Sequence, residues 1–122
     1  MTGAGYRTVY VTAADGDEAL RLARLAVEEG LAACANIIPA ITSIYRWQGR
    51  LCEDSETAVL LKTTRERADQ LVRRIGENHS YDCPAIVVWP IVGGAADYLQ
   101  WIGTSVSPPA FDDDQEDRGK TS

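Results

Sequence analysis

ACANIIPAITSIYRWQGRLCEDSETAVLLK, residues 33–62, is the stretch that decides the fold. It reads as one long β-hairpin whose arms meet at Gln48-Gly49. A glycine behind a polar residue, between two runs of β-formers, marks a tight turn because such turns need positive φ. Each arm outruns the common strand of about five or six residues. Pro39 lies inside the first arm and removes a ladder donor, which predicts a bulge or bend there. The second arm ends in the apolar run Ala58 to Leu61, the pattern of a central strand. A small domain cannot cover arms of this length, so the hairpin invites pairing with another chain.

Outward from the hairpin, Tyr6 to Ala13 alternates β-formers with polar residues and reads as a first strand. Asp15 is placed to cap a helix, with Glu18 completing a capping-box-like pair. Ala19, Leu22, Ala23, Ala26 and Val27 then form one apolar stripe, and Gly30 ends the helix by tolerating a left-handed backbone. Beyond the hairpin, Thr64 stands where a second helix would be capped. Ala68, Leu71, Val72 and Ile75 give that helix a core-facing stripe. Ala85 to Trp89 reads as a buried strand, and Ala95 to Val106 as a short last helix carrying Leu99, Trp101 and Ile102. The order β-α-β-β-α-β plus a terminal helix is the α+β, ferredoxin-like split βαβ sandwich, in a single domain over residues 1–106. Both main helices fall on one face of an antiparallel sheet. One short helix is too little for the other face, which points to an oligomer built through its sheets.

Net charge is −6 over 122 residues. Residues 1–106 hold ten Lys/Arg against thirteen Asp/Glu, and residues 107–122 two against five. The latter stretch is polar and rich in Pro, Asp and Gly, and reads as an acidic disordered tail. An acidic body without a basic stripe argues against nucleic-acid binding. No apolar run is long enough to span a bilayer and no leader opens the chain, so the expected location is the cytoplasm. The three cysteines, Cys34, Cys52 and Cys83, are an odd count without a C-x-x-C pair, which fits a reducing compartment. Cys34, in an apolar run, reads as a small buried hydrophobe.

Several motifs occur in a fixed order: Ala33 to Asn36, Tyr45-Arg46-Trp47-Gln48-Gly49, Glu56, Lys62-Thr63, His79-Ser80-Tyr81, Cys83-Pro84, Pro90 and Asp97-Tyr98-Leu99-Gln100-Trp101. In this order and spacing the chain resembles the CutA divalent-ion-tolerance family, from about Tyr6 to Val106. The resemblance implies a homotrimer like that of the PII regulators, with sheets meeting around the threefold axis and the hairpin reaching to neighbours. It also implies a role in divalent metal tolerance, copper in particular, through weak metal binding or regulation. It gathers Tyr45, Trp47, Glu56, Lys62, His79 and Tyr81 in a cleft between subunits. Aromatic walls with convergent polar groups suit a small-molecule pocket, and equally an interface packed with Tyr and Trp. The chain departs from the family at Ser80, where His-Pro-Tyr is common, and at Ala85, where an acidic residue is frequent.

His79 is the only histidine, so any imidazole chemistry must use it. With Cys83 four positions on, it is the candidate ligand for copper or zinc, though such sites want three or four ligands and one chain supplies no second histidine. No nucleophile elbow or phosphate-binding loop is present. Acylphosphatase shares the split βαβ plan but holds phosphate in a Gly-rich loop with an arginine. Here that loop is Ala14-Asp15-Gly16-Asp17, whose carboxylates would repel an anion, so no enzymatic activity is expected. Two other functions compete: a PII-like sensor of a small organic ligand, resting on architecture alone, and a stable scaffold that recruits proteins.

Overall fold

A computed structural model describes residues 5–107. The elements follow in the order β1 (Tyr6–Ala13), α1 (Gly16–Glu28), β2 (Cys34–Trp47), β3 (Arg50–Thr64), α2 (Arg65–Glu77), β4 (Ile86–Pro90) and α3 (Ala96–Ser105). One four-stranded sheet runs β2-β3-β1-β4, and its three pairings are all antiparallel. This is the split βαβ order expected from the sequence. The acidic tail expected from 107 onward lies, past Ser107, outside the described residues.

Odd-numbered side chains of β1 and β3 meet the two long helices. Val9, Val11, Ala13, Val59 and Leu61 form one core with Ala19, Leu22, Ala23 and Ala26 of α1 and Leu71 and Ile75 of α2. Helix α1 begins where Asp15 Oδ1 accepts the Glu18 N–H at 2.9 Å. It ends in a Schellman turn: Gly30, at φ +73°, donates to Val27 O at 3.0 Å, and Leu31 donates to Ala26 O at 2.9 Å. Thr64 occupies the N-cap of α2, but its hydroxyl makes no capping bond.

Even-numbered side chains of β1 point to the opposite face, one end of which lies under α3. There Tyr6 packs against Ala33, Leu99, Ile102 and Val106 under α3. Further along, Tyr10 stacks on Trp89 with ring centroids 5.0 Å apart. The strand predicted as buried, β4, is instead an exposed edge. Val87, Val88 and Trp89 are 45%, 40% and 44% accessible, because β1 flanks them on one side only. Cys34 is half-buried rather than enclosed, its Sγ 3.4 Å from the Tyr98 hydroxyl.

The hairpin arms are 14 and 15 residues long and turn through Gln48 (φ +50°) and Gly49 (φ +78°), the double positive φ of a two-residue type I′ turn. Pro39 sits in a bulge, as its missing N–H predicts. Ile38 pairs with Ala58 and Ile41 with Glu56, so β2 holds one residue more than β3 across this step, and Ala40 adopts φ +60°. A strand's side chains alternate with period two, so one added residue exchanges its faces. Before the bulge Cys34, Asn36 and Ile38 share the open face; after it Ile41, Ser43, Tyr45 and Trp47 take their place. β1 pairs β3 only over Thr57–Thr64, so residues 41–56 project as a two-stranded ribbon.

Candidate functional site

A cavity of about 630 Å³ opens where this ribbon leaves the sheet. Its floor comes from the open face of the sheet: Ser43, Tyr45 and Trp47 of β2, turned to that face by the bulge, Asp54 and Glu56 of β3, and Thr12 at the end of β1. The other wall is Tyr81, Asp82, Cys83 and Ala85 on the connection from α2 to β4. Ser43 pairs directly with Asp54, and Tyr45 with Cys52. Each cavity tyrosine donates its hydroxyl to a carboxylate, Tyr45 to Asp54 and Tyr81 to Glu56, the latter at 2.9 Å. The hydrogen bond to Asp54 pushes the Tyr45 phenol up to about 12. Burial, followed by the bond to Glu56, does the same for Tyr81.

The wall is fastened from behind by two groups. The Glu18 carboxylate, 7% accessible, accepts the Ser80 N–H at 2.7 Å, the Ser80 hydroxyl at 3.0 Å and the Ala14 N–H at 3.0 Å. Burial pushes this carboxyl up. The bonds from Ala14 and from the Ser80 hydroxyl and amide outweigh that and hold it below its ordinary 4.5. Ser80 stands where the family resemblance expects proline, and a proline could donate neither of its two bonds. His79 is the second fastener, with its side chain fully enclosed. Its Nδ1 accepts the Tyr81 N–H at 3.1 Å, so Nε2 carries the hydrogen that it donates to the Thr12 carbonyl at 2.8 Å. Its ring lies 4.8 Å from that of Tyr81.

Of the residues expected to gather here, Tyr45, Trp47, Glu56 and Tyr81 do line the cavity. Lys62 does not; its Nζ donates to Asn36 Oδ1 at 3.0 Å, nearer the middle of the sheet. His79 supports the cavity rather than lining it, and Cys83 is exposed on the wall. A metal ion at His79 would have to displace the bond to Thr12 or to Tyr81. Among the described residues no three His, Cys, Asp or Glu side chains gather as a metal site. Asp54, Ser43 and Asp82, and the Glu18–Ser80 fastening, were not singled out from sequence. The bulge at Pro39 was the local signal that could have placed Ser43 on this face, and Asp54 follows from its two-residue spacing to Glu56 on β3.

A four-stranded antiparallel sheet backed by helices, with an outgrown hairpin flanking a cavity, defines a class of small α+β protein. Residues 7–105 match the family model described as CutA1 divalent ion tolerance protein, and the chain belongs to that family. It is 45% identical over 94 residues to the divalent-cation tolerance protein CutA of Thermus thermophilus, covering 77% of this chain and 91% of that one. It is 40% identical over 97 residues to the chloroplastic CutA of Arabidopsis thaliana, covering 80% of this chain but 53% of that one. The chain thus spans about half the length of the plant relatives it matches. Among solved structures, CutA from Synechococcus elongatus superposes with a TM-score of 0.83 at 36% identity, over 88% of this chain and 95% of that one. The Thermus thermophilus structure gives 0.81 at 41% identity, over 84% and 99%.

Proposed function

We propose that this chain is a homotrimer, PII-like in assembly, that acts in divalent-cation tolerance, copper above all, through weak metal binding or regulation. Family membership across nearly all the described residues carries this reading. The assembly is supported by what a single chain leaves uncovered. Ile44, Trp47 and Leu51 on the ribbon are 64%, 58% and 72% accessible, and both outer strands of the sheet have an unpaired edge. The number three comes from the family resemblance. Fully bonded His79 and the lack of a gathered ligand set favour weak binding over a tight site in each chain. No helix among the described residues is long and apolar enough to cross a membrane, and the three cysteines are free. The cytoplasm is the proposed location, although relatives' names include chloroplastic and periplasmic forms. The chain is proposed to have no enzymatic activity.

Native mass spectrometry before and after stoichiometric copper or zinc tests the reading. A trimer that takes up metal and loses it under gentle activation, less so taken up by His79→Ala, is the expected result. A monomer would overturn the assembly, and three ions per trimer resistant to a chelator would overturn weak binding.

A second reading is favoured by the cavity itself: a PII-like sensor that binds a small organic ligand there. Its volume falls in the range of small-molecule sites, and it combines aromatic walls with a few polar groups.

A further inference from the structure

We infer that the acidic segment after Ser107 folds back on its own chain and docks over the first turn of α2, where its carboxylates supply the counter-charge that Arg67 lacks. Arg67 is 5% accessible, and its Nε is buried without a hydrogen-bond partner. Its Nη1 donates to Gln70 Oε1, an uncharged acceptor. Burial pushes the guanidinium's pKa down, and none of the ion pairs found among the described residues includes it. Buried charges are ordinarily paired and orphaned buried N–H groups are rare, so this corner of the fold calls for an anion. The proposed trimer forms through the open face and the ribbon. Arg67 lies across the sheet from that face, in the helix layer with Leu71 and Ile75, enclosed by its own chain.

Other features of the corner favour negative charge. Thr64 makes no capping bond at the N-terminus of α2, the positive end of the helix dipole. Arg65 opens that helix and Arg7 stands opposite Thr63 in the ladder, while the first turn holds one acidic residue, Glu66. The described chain also ends close by. The Ser107 N–H donates to Gly30 O at 2.9 Å, and the carbonyl of the next residue, Leu31, accepts the Thr63 hydroxyl at 2.7 Å. Thr63 leads directly into α2. Residues 1–4 carry no acidic side chain, whereas the segment beyond Ser107 carries Asp112, Asp113, Asp114, Glu116 and Asp117. The steps from Ser107 to Asp112 reach about 17 Å when extended, against a helix diameter of about 10 Å. The interaction asked of the segment is electrostatic. A carboxylate laid over the turn faces a guanidinium from which burial has removed most of the screening water.

Hydrogen exchange followed by NMR tests this on the full chain and on a full-length variant carrying Asp112→Asn, Asp113→Asn, Asp114→Asn, Glu116→Gln and Asp117→Asn. Neutralising the segment should quicken exchange at the Arg67 Nε–H and at the Glu66 and Arg67 amides about threefold or more, with Val59 and Leu61 unmoved. High salt should do the same to the unsubstituted chain. Equal exchange in the two chains would overturn the inference. Inorganic phosphate should slow exchange at the corner only in the neutralised variant. Phosphate protecting both chains alike would show the corner open to free anions and overturn the docking, and protection that falls on dilution would assign the carboxylates to a second copy and overturn it too. Arg67→Met closes the cycle: the midpoint of denaturation should respond to neutralisation with Arg67 present and not with methionine in its place. A response that survives Arg67→Met would place the segment elsewhere and overturn the inference; should Arg67→Met not fold, the exchange comparison decides alone.

Discussion

Between Thr57 and Thr64, β3 has a strand on each side and helices packed below; between Arg50 and Glu56 it has β2 alone. The ladder between β2 and β3 is interrupted at the bulge, and the residue types differ: Thr57–Thr64 centres on the apolar run Ala58 to Leu61, whereas Arg50–Glu56 carries Arg50, Glu53, Asp54 and Glu56. Burial differs with them. Val59 and Leu61 are fully enclosed, while Leu51 is 72% accessible. The two arms bond each other on both sides of the bulge, but isolated two-stranded ribbons are marginal in water, and stability comes from the layers packed beside them. The supported half holds the domain together. The unsupported half is what the domain can offer to a ligand or to another copy of itself.

Removing the bulge is the largest test of this contrast. Deleting Ala40 restores strict alternation, so Thr42, Ile44 and Arg46 would replace Ser43, Tyr45 and Trp47 on the cavity face. The base should keep its far-ultraviolet circular dichroism while the Tyr45 phenol, turned away from Asp54, falls back toward its ordinary 10.0 in an NMR pH titration. A Tyr45 phenol that stays near 12 would show that the bulge does not set the cavity's walls.

Next in size is the paired truncation of leucines. Leu61→Ala empties space in a closed core and should cost about 2–5 kcal/mol. Leu51→Ala removes atoms that one chain leaves in water and should cost under about 0.5 kcal/mol within that chain. Denaturant titrations at two protein concentrations separate the cases. A Leu51 penalty that changes with concentration assigns the ribbon to an interface, whereas equal penalties at both positions would dissolve the distinction.

Much of the supported half was legible in the sequence, because its signals are local. The bulge at Pro39, the capping by Asp15 and the Gly30 stop each depend on a few neighbouring residues, and so does the Gln48-Gly49 turn at the tip of the other half. The exposure of β4 was not legible. Ile86 to Trp89 has the composition of a buried strand, and its accessibility follows from its edge position and from α3 covering only the far end of the face. The cavity was half legible. Its aromatic residues stood out by type, but Ser43 enters only through the parity change at the bulge, and Asp54 through the alternation of β3 that it shares with Glu56. Lys62 and His79 have partners within the chain that no spacing announces: Asn36, and a Thr12 carbonyl 67 residues away.

The fastening of the cavity wall gives an intermediate effect. Glu18→Ala leaves the Ser80 and Ala14 N–H groups without their acceptor and should cost about 1–3 kcal/mol. Hydrogen exchange at those two amides should quicken while amides of β3 at Val59 and Leu61 hold, and uniform quickening would argue against a local role. The same carboxylate carries a pH signature. Its folded pKa lies below the unfolded 4.5, so its contribution is complete above about pH 4.5 and fades as pH falls through the lower folded value. Glu18→Gln should flatten the stability curve in that window and leave it unchanged in shape near neutrality.

The smallest expected effect sits at the ribbon's tip. Gln48 holds φ +50°, a left-handed conformation that costs a side chain with a β-carbon about 1–2 kcal/mol and that Asn tolerates better. Gln48→Asn should therefore stabilise the ribbon by less than about 1 kcal/mol. If the ribbon and base unfold together, thermal denaturation will show the gain as a small rise in Tm. If the ribbon frays by itself, the gain will be confined to slower hydrogen exchange between residues 41 and 56, with Tm unmoved. The second result would extend the contrast between the two halves from burial to dynamics; the first would show that one cooperative unit spans them both.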